Sequence, residues 1–309
     1  MSEAEFGRTI PKQKLIEEFT VSQTPLSVQL YTVRDALSAD LPGTLARVAE
    51  LGFTNVELFG FVDLADEYAE ALPAAGLVAP SAHAHLLGQD VDAVFAAAKK
   101  LGVGTVIDPN IDRELWATRE NVADSAAQLN AIGARGADQG LTIGYHNHWW
   151  ELENRIDGTP ALEIFAELLD PAIVLEVDTY WAEVGGVPAA ALLERLGDRV
   201  RFLHVKDGAV TQDDQDQVAV GSGKLDIPAI LAAALLERLG DRVRFLHVKD
   251  GAVTQDDQDQ VAVGSGKLDI PAILAAAPQA QQVVELDGFA GDVFDALRDS
   301  ISYLNGVRA

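Results

Sequence analysis

LLERLGDRVRFLHVKDGAVTQDDQDQVAVGSGKLDIPAILAAA, residues 192–234, is followed directly by the same 43 residues at 235–277. The stretch holds a helical end closed by Gly197, an apolar run VRFLHVK at 200–206, and a second helical segment after a Gly-rich turn. Helix, strand and helix in that order are the repeating element of a parallel sheet. Solenoid repeats diverge and number three or more, so two identical copies read instead as a tandem duplication, recent or engineered. Setting aside one 43-residue copy of the 309 leaves 266.

Outward from this unit the chain keeps alternating. Strand-like runs are SVQLYT (27–32), TNVELF (54–59), LVAPSAH (77–83), GTVIDP (104–109), LTIGYHNH (141–148), IVLEVDT (173–179), VRFLHVK (200–206) and QVVELD (282–287). Amphipathic helical runs separate them, among them LPGTLARVAELG, DVDAVFAAAKKLG and VPAAALLERLG, each closed by Gly where a helix end favours it. Eight βα units over about 250 residues fit an α/β (β/α)8 TIM barrel. A doubly wound sheet fits less well, since no GxGxxG opens a first helix and no P-loop is present. The expected organisation is an N-terminal extension over 1–25, then one barrel domain over 26–309 that contains both repeats.

The repeat complicates this barrel. The duplicated chain spells nine strands for a closure whose tilt and shear suit eight. One copy of the strand is therefore expected in the barrel and the other extruded, its His away from the site and its open edge inviting a second copy of the chain.

Composition excludes several classes. A chain 48% hydrophobic and 23% charged can bury a large core. It has no cysteine, hence no disulfide, thiolate metal site or Cys nucleophile, and any metal must sit on His, Asp or Glu. A net charge of −25 repels phosphate backbones and acidic membranes. No apolar run approaches the length of a membrane span and the first residues carry acids where a signal peptide needs a basic start, so a cytoplasmic protein is expected.

The six histidines locate the chemistry. His83, His85, His146, His148, His204 and its duplicate His247 all fall near the C-terminal ends of expected strands, which is the catalytic face of such a barrel. Period two places His83 with His85, and His146 with His148, on one side. Glu57 ends the second run, Glu176 and Asp178 lie two apart, as do Glu285 and Asp287, and Glu151 follows YHNHWW. Carboxylates turned into a barrel need a positive centre, and Lys206, Arg34 or a divalent metal could supply one. A mixed His and carboxylate set suits Mn, Co, Zn or Mg.

Two further features read as structural. GSGKLDIP lacks the Walker spacing and reads as a turn opening a helix, and TQDDQDQ, without the Gly and distal Glu of a calcium loop, reads as a solvated tract.

QLYTVRD, VELFGF, YHNHWWELE, LEVDTYWAEVGG, FLHVKDGAV with VGSGKLDIPAIL, and VVELDGF, in that order and spacing, together resemble the xylose isomerase-like TIM barrels, the sugar phosphate isomerase/epimerase group. The resemblance spans most of residues 26–305. It implies one divalent ion at the C-terminal mouth, held by Asp178, by His204 or His247, and by Glu285. Many members carry Glu where this chain has His146, so the resemblance leaves His146 or Glu151 as the ligand from YHNHWWE. It further implies an isomerase or epimerase that shuttles a proton through an enediolate of a small sugar, with Glu285 and His146 or Glu151 moving the proton. Glu57, His83, His85 and Lys206 would hydrogen-bond sugar hydroxyls, Trp181 would wall one side of the pocket, and His148 and Lys249, the duplicate of Lys206, would belong to the same substrate-binding set. Similar sites also host keto-inositol or keto-sugar dehydratases, and a duplication that breaks the site would leave a sugar-binding barrel.

Overall fold

The structure is a computed structural model that describes residues 26–204, 206–212 and 291–308, with shorter stretches at 217–218, 224–225, 230, 245–248, 250–251, 260–266, 270–271, 274, 280–286 and 289. The expected extension at 1–25, Lys249, Asp287 and most of both acidic tracts lie outside the described residues.

Nine parallel strands close a barrel: β1 (Ser27–Gln29), β2 (Asn55–Phe59), β3 (Val78–His83), β4 (Thr105–Asp108), β5 (Thr142–His146), β6 (Val174–Asp178), β7 (Val200–His204), β8 (Phe245–Val248) and β9 (Gln281–Val284). Around the ring each strand neighbours the next in chain order, and β9 pairs with β1. This is the α/β TIM-barrel fold with one strand more than eight.

Among the described residues, helices lie between the strands. Among them are α1 (Leu41–Glu50), α2 (Ala65–Ala75), α3 (Val91–Leu101), α4 (Arg119–Ala137), α5 (Ala161–Leu168), α6 (Ala189–Leu196) and α7 (Val293–Arg308). Their starts follow local chemistry: Asp40 accepts from Gly43 N at 3.0 Å, Asp90 from Ala93 N at 3.1 Å and Thr118 from Asn121 N at 3.2 Å. α3 ends on Gly102 at φ 74°, the left-handed position that only glycine takes without strain. Leu45, Val48, Phe95, Leu129, Phe165 and Leu193 bury the inner faces of these helices against the sheet.

The expected extrusion of one repeat strand is corrected by this topology. β7 and β8 are the two copies, and they pair parallel and in register, Phe202 with Phe245, Leu203 with Leu246 and His204 with His247. An extruded strand leaves a row of unpaired N–H and C=O groups on itself, whereas insertion satisfies both of its edges. Identical sequence also means an identical inward and outward pattern. Leu203 and Leu246 both pack into the core between sheet and helices, so the extra strand fits the pleat without a register slip. Barrel diameter grows with strand number, and the ring widens to take it. The association expected from an exposed edge loses its basis, because β8 has partners on both sides.

Both copies repeat their accessory structure as well. Asp207–Gly208 pairs antiparallel with Gln217–Val218, and Asp250–Gly251 pairs the same way with Gln260–Val261. In the second copy the Asp250 carboxylate accepts from Gly264 N at 2.8 Å and Gly266 N at 3.1 Å. The amides of that Gly-rich turn are therefore bound to an anion of the same chain.

Candidate metal and sugar site

Parallel register sets functional side chains in rows around the barrel mouth. Gln29, Glu57 and Ser81 share one row on β1, β2 and β3, and Asp178, His204 and His247 share another on β6, β7 and β8. Glu285 follows directly after β9. Glu57, Glu176, Asp178, His204, His247 and Glu285 are all at most 5% exposed, as is His146.

Glu176 sits at the centre. Its Oε2 lies 3.0 Å from His83 Nε2, 3.1 Å from His146 Nδ1 and 3.4 Å from His204 Nε2, and its Oε1 lies 3.9 Å from His247 Nε2. Yet neither Glu176 oxygen completes a hydrogen bond, nor do both His204 nitrogens, His83 Nε2, His146 Nδ1 or His247 Nε2. Buried donors and acceptors left in this way cost free energy, on the order of 1–3 kcal/mol each. Their convergence is what a cation would relieve. Among the described residues, four overlapping sets bring ligand atoms within 4.8 Å of one another: His83, Glu176 and His204; His146, Asp178 and His204; His204, His247 and Glu285; and Glu57, Glu176 and His247. The residues present thus fit a divalent ion.

Asp178 is fixed on several sides. Its Oδ1 caps the short helix Thr179–Val184 by accepting from Trp181 N at 3.0 Å. Its Oδ2 turns to Lys206 Nζ at 3.1 Å and His204 Nδ1 at 3.8 Å. Asn147 fixes the backbone of Asp178 from the end of β5, accepting its N–H at 3.0 Å and donating to its carbonyl at 3.4 Å.

Glu151 is placed otherwise. Its carboxylate accepts from Tyr145 Oη at 2.6 Å and from His148 N at 3.0 Å, and it belongs to none of the four sets. Burial, reinforced by Glu151, pushes the Tyr145 hydroxyl well above its ordinary pKa. His146 enters the cluster while Glu151 braces the turn behind it.

The imidazoles divide electrostatically. Burial alone would lower all four. For His83 the nearby Glu176 and Glu57 outweigh burial and hold its pKa up at about 9. For His247 burial is outweighed by Glu57 and Glu285, which raise it to about 10. His146 stays below its ordinary value because burial prevails over Glu176. His204 falls well below it, through burial and then through the neighbouring His247 and His146. Glu176, despite burial, is pulled down by His83 and His146.

Over this cluster opens a cavity of about 960 Å³, lined in part by His83, His146, Trp181, His204, Lys206 and Glu285. His85 and His148 also line it from loops beyond the strands, with His85 largely exposed and His148 stacked on Trp150 at 4.3 Å. Lys206 Nζ stands 5.9 Å from the Trp181 ring. Glu57 lies deeper and fully buried, accepting from Gln29 Nε2 at 2.8 Å and from Ser81 Oγ.

Sequence reasoning gave no role to Glu176 in the site, nor to Gln29, Ser81, Tyr145 or Asn147. For Glu176 a signal existed, since period two puts it on the face of Asp178. For the rest the signal lay only in cross-strand register.

A profile described as xylose isomerase-like TIM barrel matches residues 45–236. A comparison with curated protein sequences gives no match. Among solved structures, a sugar phosphate isomerase/epimerase from Parabacteroides distasonis is 21% identical over 91% of this chain and 93% of its own, with a TM-score of 0.62. The probable 3-DHS dehydratase AsbF from Bacillus anthracis is 14% identical over 91% of this chain and 98% of its own, TM-score 0.56. The IOLI protein with a bound zinc atom is 14% identical over 92% of this chain and 98% of its own, TM-score 0.53. At these identities the likeness is one of fold.

Proposed function

The chain belongs to the xylose isomerase-like TIM barrel family, and from that premise we propose that it is a divalent-metal-dependent isomerase or epimerase of a small sugar or keto-sugar. The observation that carries this reading is the convergence of buried, unsatisfied imidazole and carboxylate atoms beneath an open cavity. In it, His146, Asp178 and His204 would hold the ion. Bound there, a divalent ion would supply positive charge against the oxygen that becomes anionic when a neighbouring carbon loses its proton.

The chain's own groups do the rest. Glu285, on the cavity wall, takes the proton at that carbon and returns it, and His83, which lines the same cavity, serves a second face. Lys206, His148 and Trp181 position hydroxyls and wall the pocket, and His85 guards the rim. Glu151 acts through His148 and Tyr145 rather than on substrate. The reading extends to one barrel domain over 26–309 produced by tandem duplication and working in the cytoplasm. Among the described residues no helix is long and apolar enough to cross a membrane, and the −25 charge disfavours nucleic acid.

Elimination of water is the second reading. His83 and Glu285 wall the same cavity and would give an elimination both a proton donor and a base. The fold likeness to the dehydratase supports the same possibility. The test is a panel of keto-sugars in D2O with Mn, Co, Zn or Mg, followed by proton NMR. Metal-dependent loss of the signal next to the carbonyl, abolished in Glu285→Gln, supports isomerisation or epimerisation. A product lighter by one water supports the second reading. No exchange and no water loss across the panel would refute both.

A further inference from the structure

The extra strand separates residues that one fewer strand would hold together. Asp178 on β6 is in register with His204 on β7, whereas Glu285 lies beyond β9, against β8 and His247. Adjacent strands stand about 4.8 Å apart, so β8 moves Glu285 away from Asp178 by about that much. Each half keeps its own copy of the histidine.

We propose that the repeat turns one cation site into two, the second made of Glu57, Glu176 and His247. The inference rests on the metal-dependent reading above, which supplies the first site at His146, Asp178 and His204. The two ligand sets share no residue, and in each the ligand atoms lie within 4.8 Å of one another.

Local geometry supports the second set independently. His247 Nδ1 is 2.9 Å from Glu285 Oε2, which turns Nε2 toward Glu57 Oε1 at 3.2 Å and Glu176 Oε1 at 3.9 Å. A carboxylate on one imidazole nitrogen is the usual way to aim the other at a metal. Gln29 and Ser81 fix the Glu57 carboxylate from either side. His247 Nε2 and both Glu176 oxygens are buried without a hydrogen bond. A nitrogen and two carboxylates select a borderline divalent ion such as zinc, cobalt or manganese.

The experiment counts ions. The full chain, stripped with chelator, is dialysed against zinc and bound metal is measured per chain, and manganese loading is followed by electron paramagnetic resonance. Two zinc ions per wild-type chain and one in His247→Ala are expected, with manganese signals broadened by a close neighbour in wild type only. Should His247→Ala fail to fold, the isosteric Glu57→Gln reads the same site and is expected to bind one. One ion in wild type, or two in both folded variants, overturns the second site while leaving the metal-dependent reading intact. No ion in wild type overturns both.

Discussion

The His204 and His247 rings lie 4.0 Å apart, centroid to centroid, as register partners on adjacent strands, and occupy the same place in two identical stretches of sequence. Their protonation nonetheless runs in opposite directions, His204 far below its ordinary value and His247 raised to about 10. Burial lowers both. Only His247 faces Glu57 and Glu285 closely enough to reverse that effect.

Stability of the metal-free protein should therefore peak near neutral pH. His83 and His247, at about 9 and about 10, are raised above the unfolded value, so their contribution is full below about pH 6.5 and lost as pH rises through 9 to 10. His146 and His204 are lowered, so below about pH 6.5 the unfolded chain binds protons that the native state refuses, and stability falls again. Urea midpoints of chelated protein at about pH 5, pH 7.5 and pH 10 should be highest at the middle value. A steady rise across the range would contradict this assignment of charge.

Deleting residues 235–277 should leave a folded barrel. Ala234 then precedes Pro278, as Ala277 does now, and β7 closes directly on β9. Eight strands match the common closure of this fold. A cooperative melt with a single bound ion is the expected result; a soluble chain without a cooperative transition would mean that the ninth strand cannot be dispensed with.

Phe202 and Phe245 stack at 4.8 Å with planes 8° apart, and they differ in burial, Phe202 at 2% exposed and Phe245 only half-buried. Phe202→Ala should cost about 3–5 kcal/mol and Phe245→Ala distinctly less. Denaturant titration of the two variants compares one substitution in two identical sequence contexts, and equal losses would refute the ranking by burial.

Replacing Glu151 by Ala should strand Tyr145 Oη and His148 N–H, at roughly 1–3 kcal/mol for each buried group left unpaired. Metal stoichiometry should not change. Loss of an ion in the isosteric Glu151→Gln would make Glu151 a ligand after all.

By itself the sequence determined the class of fold, because alternating apolar runs and Gly-closed amphipathic runs admit few architectures, and it brought the histidines to one end of the sheet through their places on strands. Composition likewise removed thiolate chemistry. Three matters were decided only by tertiary structure. The barrel has nine strands because satisfying both edges of β8 outweighs the cost of widening the ring, a balance that no local window contains. Glu176 became the centre because β3, β5, β7 and β8 converge on it from across the barrel. The identical histidines of the repeat differ in charge because a pKa is set by what stands within a few ångströms, and those neighbours come from strands far away in the chain.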